Sequence, residues 1–323
     1  MFLRILKSNP ILLLIFTILT CIGIGVWTLL TKQVSYSGNM PVFYFFFGWA
    51  VNVKLFSVSL GLILLLVQAF GWNAIINSNT LLRQSSYFPA FFLILLASCR
   101  LSLISIYPVL FASLFLTLAM RRLIASYKKD NAISNVFDAG LFIGIGSLFY
   151  PPFVVFMLFL WIAVLIMRSL IWREWVVAMV GFVLPFGFAM AYQYLFFVSD
   201  ISWYSKLILS AENYRTHFSF NWKEWMLMLI LAGLSIASFW LFINKMADNI
   251  VKTQKVWALI LWFMVFALVS VVILKQRDAQ SFMVLAIPFS FIFSNYFLKA
   301  KSAIWAELLF LCLLISIGLN LFF

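Results

Sequence analysis

Asp200, Glu212, Arg215 and His217 fall in one polar stretch, residues 198–223 (VSDISWYSKLILSAENYRTHFSFNWK), and are the side chains best suited to acid–base chemistry. A carboxylate there would deprotonate an acceptor hydroxyl, and the imidazole would move a proton near neutral pH. His217 is the sole histidine, and no cysteine or carboxylate stands at ligand spacing from it, so neither a metal nor another cofactor is expected. A second group is basic. Lys275 and Arg277 stand beside Asp278 in LKQRDAQS, and with Arg215 they would grip a phosphate or pyrophosphate, because guanidinium groups bind such oxyanions bidentately. Arg100, at the outer end of a short apolar segment, joins this anion-binding set if the turn that follows is displaced inward. The competing reading of the same charges is a solvated rim.

What positions these residues is set by the solvent of the chain. Of 323 residues 66% are apolar, 19% aromatic and only 10% charged, which leaves too little polar surface for a water-soluble fold. The apolar runs are continuous in Leu, Ile and Phe and do not alternate, so they predict helices and not the strands of a barrel. Spans are expected near 10–30, 55–75, 86–101, 106–121, 134–149, 152–168, 175–198, 225–243, 256–274, 281–298 and 303–322. The expected fold is an all-α polytopic bundle of about eleven spans, a single integral membrane domain over residues 1–323. Placing the N-terminus in the cytoplasm puts 14 of the 22 Lys and Arg residues on that side and 8 on the other. The outer loops are then 31–54 and 198–223, and the main cytoplasmic loop is 121–136. The expected location is the bacterial inner membrane. The net charge of +13 is dispersed in pairs, so it reads as topology with attraction to anionic lipid, and nucleic acid is not an expected partner.

Packing signals concentrate in one stretch, FDAGLFIGIGSLFYPPFVVF over residues 137–156. Gly140 and Gly144 make a GxxxG pair with Gly146 near the same seam, which allows a neighbouring backbone to approach closely. Pro151 and Pro152 remove two backbone donors, so the stretch is expected to be two helices joined by a tight turn. Asp138 near the start of the first helix complements its dipole, and Glu307 in the last span is within snorkelling reach of Lys299 or Lys301. The apolar run after Arg4 and Lys7 continues past Cys21 to Leu30, which favours an uncleaved first span over a signal peptide. Cys21, Cys99 and Cys312 have no CxxC spacing and read as small apolar residues. Residues 42–49 (VFYFFFGW) are too short to span and predict an interfacial or re-entrant helix.

The chain lacks a P-loop, a Rossmann glycine pattern, HExxH and a nucleophile elbow. Four strings, NSNTLLRQSSYFPAFF (77–92), FDAGLFIGIGSLFYPP (137–152), RSLIWREWVVAMVGFVLPF (168–186) and IPFSFIFSNYFL (287–298), resemble an uncharacterised multi-spanning inner-membrane family of the Bacteroidota. A more distant likeness is to membrane glycosyltransferases of the C superfamily. It rests on the glycine string from Gly140 to Leu148 and on the charged cluster at Arg277 followed by a helix containing Pro288. That likeness implies a glycosyltransferase-like helix arrangement and an acidic catalytic residue in the first outer loop. Residues 31–54 contain no Asp or Glu, and Asp200 or Glu212 would have to substitute.

The expected function is therefore that of a non-catalytic membrane scaffold in cell-envelope biogenesis, or a subunit that binds a lipid-linked intermediate. Its partners would be membrane lipids, a polyprenyl-phosphate-linked substrate and other membrane-protein subunits. The alternatives are a glycosyltransferase or polymerase using a polyprenyl-phosphate-linked donor, and a secondary transporter. Against the last, only one clear helix break is visible, and paired breaks in two related halves are absent.

Overall fold

The computed structural model describes residues 6–31, 41–51, 53–82, 84–99, 105–129, 131–168, 171–196, 222–244, 250–273, 283–299 and 303–322. These form twelve α-helices of ten or more residues: α1 (Pro10–Thr31), α2 (Pro41–Val51), α3 (Lys54–Ser78), α4 (Phe88–Ala97), α5 (Pro108–Ala125), α6 (Ile133–Phe149), α7 (Phe156–Met167), α8 (Trp172–Phe196), α9 (Trp222–Asn244), α10 (Val251–Ile273), α11 (Met283–Lys299) and α12 (Ala303–Phe322). A 3-10 turn, Pro151–Val155, leads into α7. No strand occurs among the described residues. Lipid offers backbone groups no partners, so an apolar run satisfies its amides within itself by coiling. Proline marks the helix starts: Pro10, Pro41, Pro108 and Pro151 open their elements and Pro89 is second in α4, where a missing N–H costs nothing.

Every predicted span coincides with a helix, but among the described residues five helices are long and apolar enough to cross a membrane: Pro10–Leu30, Lys54–Ser78, Pro108–Ala125, Trp172–Tyr192 and Val251–Val272. The stretch expected to span at 86–101 is the ten-residue α4, about 15 Å long and about half the hydrocarbon thickness. Nearly every α4 side chain is buried between α3 and α11. Phe92 stacks on Phe297 with ring centroids 5.1 Å apart and meets Phe293 and Phe310 edge-on, while Phe91 contacts Phe16 of α1. A half-helix is tolerable where its side chains pack on protein and not on lipid. The loop before it is tied by Asn77, whose Nδ2 donates to the Ser86 carbonyl at 3.3 Å.

Around this centre, α7 and the 3-10 turn pack on α10, with Phe263 against Phe156 and Phe159 at 5.1 and 5.6 Å. Helix α9 packs on both α11 and α12, and Phe310 of α12 meets Phe297 of α11 at 5.6 Å. On α1, Ile11, Ile15, Leu19, Ile22, Val26 and Leu30 recur at three- and four-residue steps and are exposed, as a lipid-facing stripe should be. The short helix α2 lies over one end of the bundle, where Phe47 meets Phe111 at 5.0 Å, Phe46 meets Phe149 at 6.0 Å and Phe45 meets Tyr192 at 6.2 Å.

The joint at Pro151 and Pro152 separates two helices, as expected, and the turn between them is one extended residue followed by a 3-10 turn. Helix α6 ends at Phe149, Tyr150 is extended (φ −139°, ψ 93°), and the two prolines begin a 3-10 turn that runs directly into α7. The Tyr150 N–H reaches the Gly146 carbonyl at 2.9 Å and the Phe153 N–H reaches the Tyr150 carbonyl at 3.0 Å, so the amides around the break stay paired. The prolines occupy first-turn positions that need no donor.

Candidate functional site

The most extensive helix contact in the molecule is between α6 and α8, and glycine creates it. A Cβ on Gly140 would overlap the Ala178 carbonyl oxygen and come within 3.1 Å of the Phe182 nitrogen. On Gly144 it would overlap the Phe182 carbonyl and lie 3.1 Å from Pro185 Cγ. The arrangement is reciprocal, since a Cβ on Gly181 would lie 2.5 Å from the Phe137 carbonyl oxygen. The atoms in the way are mostly backbone, which no rotamer change can move. Gly146 points elsewhere: its Cβ would meet the Ala112 carbonyl oxygen of α5 at 3.3 Å, so it belongs to the α5–α6 contact and not to the seam with Gly140 and Gly144.

The same helices end in a polar clasp. Arg168, the residue that closes α7, donates from Nη2 to Glu174 Oε1 at 2.7 Å and from Nε to Oε1 and Oε2 at 3.1 and 3.3 Å. Its Nη1 donates to the carbonyls of Lys129 and, at 3.5 Å, Ser126. The Arg168 and Glu174 side chains are 9% and 3% exposed, so this ion pair is buried. Each charge suits its place, a cation at the C-terminus of α7 and a carboxylate in the first turn of α8. One guanidinium thereby ties three segments: the α5–α6 connection, the end of α7 and the start of α8.

Other cations surround the clasp. Arg122 pairs with Asp138 at 3.3 Å, with both side chains partly exposed. Asp138 lies beyond the first turn of α6, so its partner is this arginine of α5 and the dipole role expected for it is secondary. Lys129 Nζ donates to Asn135 Oδ1 at 3.4 Å. Lys128 and Lys255 flank the Tyr127 ring at 5.9 and 5.4 Å, and Lys299 lies 4.8 Å from the centre of the Trp257 ring. The contacts gather the C-termini of α5, α7 and α11 and the N-termini of α6, α8 and α10 at one end, which is where the described basic residues accumulate. Such an end supports headgroup contact and helix fixation. Its Asp138 and Glu174 carboxylates are each engaged by an arginine.

Among the described residues no group of three His, Cys, Asp or Glu stands close enough to hold a metal. Arg100, Asp200, Glu212, Arg215, His217, Lys275 and Arg277 lie outside the described residues. The sequence reading missed Glu174. With nine acidic residues against 22 basic ones, an acid opening a helix six residues after a helix-closing arginine was the available signal.

Twelve apolar helices, glycine-mediated backbone contact and basic residues at one end define a polytopic α-helical membrane protein. The chain belongs to a family of unknown function (DUF6427), whose model matches residues 56–323. No curated protein and no solved structure matches it.

Proposed function

We propose that this protein is a non-catalytic scaffold of the bacterial inner membrane, acting in envelope biogenesis by holding a lipid-linked intermediate or partner membrane subunits. The observation that carries the reading is the clasp: Glu174 is held bidentately by Arg168, which also binds two carbonyls, so the best-buried described carboxylate is engaged in fixing helices. Gly140 and Gly144, in the string on which a likeness to C-superfamily glycosyltransferases rests, have a packing role here, against Ala178 and Phe182 of α8. Large apolar faces of α1 and α8 remain for lipid or for partners.

Purification from the native membrane in a mild detergent, with bound lipids and proteins identified by mass spectrometry, tests the proposal. The expected result is co-purification of a polyprenyl-phosphate-linked lipid or a defined membrane subunit in stoichiometric amount. Glycosyl transfer from such a donor, abolished by Asp200→Ala or Glu212→Ala, would instead establish the transferase reading.

A further inference from the structure

Helix α3, long and apolar enough to cross a membrane, carries a stripe of uncharged polar groups. Ser57, Gln68 and Trp72 share one face, following the buried positions 57, 61, 65, 68 and 72 at steps of three and four. Gln68 lies near the middle of this 25-residue helix. Its Nε2 donates to Ser113 Oγ of α5 at 2.9 Å, and that hydroxyl donates onward to the Leu110 carbonyl at 2.9 Å. The pair therefore uses the amide nitrogen and leaves the amide oxygen over. Gln68 Oε1, Trp72 Nε1, Ser57 Oγ and, on the adjoining face, Asn73 Oδ1 are all buried without a hydrogen-bond partner among the described residues. Thr117, one turn beyond Ser113, is buried on α5 too.

Polar atoms left unpaired at membrane depth are strongly penalised, and four on one helix form a pattern and not an accident of packing. Their chemistry defines what they fit. Two amide oxygens accept, an indole N–H donates, and a serine hydroxyl does both. No charged side chain lies on α3 beyond Lys54 or on α5 before Arg121, so an ion of either sign would enter uncompensated. A neutral group that both donates and accepts matches all of them.

We infer that the α3–α5 seam is a binding site for neutral hydroxyl groups at the bilayer midplane, centred on Gln68 and Trp72. Water and the hydroxylated headgroup of a lipid share this chemistry. The site is independent of the scaffold role. X-ray radiolytic labelling of the purified protein in nanodiscs separates the cases, because hydroxyl radicals form in place from bound water. With water as occupant, Trp72 is labelled about tenfold faster than Phe92 of the dry α4 core, after correction for intrinsic reactivity, and Gln68→Leu removes the excess. With a lipid as occupant, Trp72 is protected, and native mass spectrometry finds a hydroxyl-bearing lipid on the wild type that Gln68→Leu loses. In both cases Gln68→Leu lowers the melting temperature. The inference is overturned if Trp72 is as slow as Phe92 and no such lipid is retained. Should that variant fail to fold, labelling and native mass spectrometry of the wild type still decide the matter.

Discussion

Arg168 and Glu174 illustrate why a buried ion pair is stringent without being a large source of stability. Removing one partner leaves the other charged in a closed, partly apolar environment, whereas removing both restores a neutral contact. Glu174→Gln or Arg168→Leu should each destabilise by about 3–5 kcal/mol, and the double variant Arg168→Leu/Glu174→Leu should recover much of that loss. Thermal unfolding in detergent of the two single variants and the double variant checks this, and additive losses would show that the pair does not act as a unit. The partly exposed pair Arg122–Asp138 behaves differently, since water screens it. Asp138→Asn should cost at most about 1 kcal/mol in the same measurement.

At the scale of elements, glycines of identical composition separate by what faces them. Gly140→Ala places a methyl against a carbonyl of α8 and should cost about 1–3 kcal/mol, and Gly144→Leu should lower the yield of folded protein sharply. Gly187 lies on the same helix α8 with nothing within 4 Å of a new Cβ. Gly187→Ala should therefore be neutral or stabilising by up to about 1 kcal/mol, because alanine is the better helix former. Melting temperatures of the three variants test the seam, and equal behaviour of Gly140→Ala and Gly187→Ala would remove it. The half-helix α4 depends on aromatic packing in the same way. Phe92→Ala should cost about 3–5 kcal/mol, since five phenylalanine rings surround that side chain.

For the whole molecule, the clustering of Arg122, Lys128, Lys129, Arg168, Lys255 and Lys299 at one end agrees with a topology in which basic residues stay in the cytoplasm. Single cysteines introduced at Lys128 and at His217 should react with an impermeant maleimide from opposite sides of intact cells, Lys128→Cys only after permeabilisation. Labelling of both from one side would overturn this topology and the assignment of residues 198–223 to the outer face. The lipid-facing stripe of α1 and the sparse burial of α8 place these two helices on the bundle periphery, where lipid or partner subunits meet them.

The presence of the helices and their apolar surroundings were legible from the sequence, because an apolar backbone in lipid has helix as its nearly exclusive economical state. The close-approach role of Gly140 and Gly144 was legible for a similar reason: a missing side chain is a property of the residue itself. The partners were not. That Gly181 and Ala178 of α8 receive the α6 glycines, that Gly146 turns to α5, and that Glu174 closes on Arg168 depend on rotation and register between helices distant in sequence. The prolines at 151 and 152 announced a break, but the form of the turn, one extended residue and then a 3-10 turn with Phe153 packed on Phe156, was not legible. Likewise α4 has the apolarity of a span and the length of half of one, and only its enclosure between α3 and α11 makes that length tolerable. Sequence determined the solvent and the elements, since both follow from local chemistry. Tertiary structure decided which polar and small residues meet, since that is fixed by the single arrangement in which the helices close-pack.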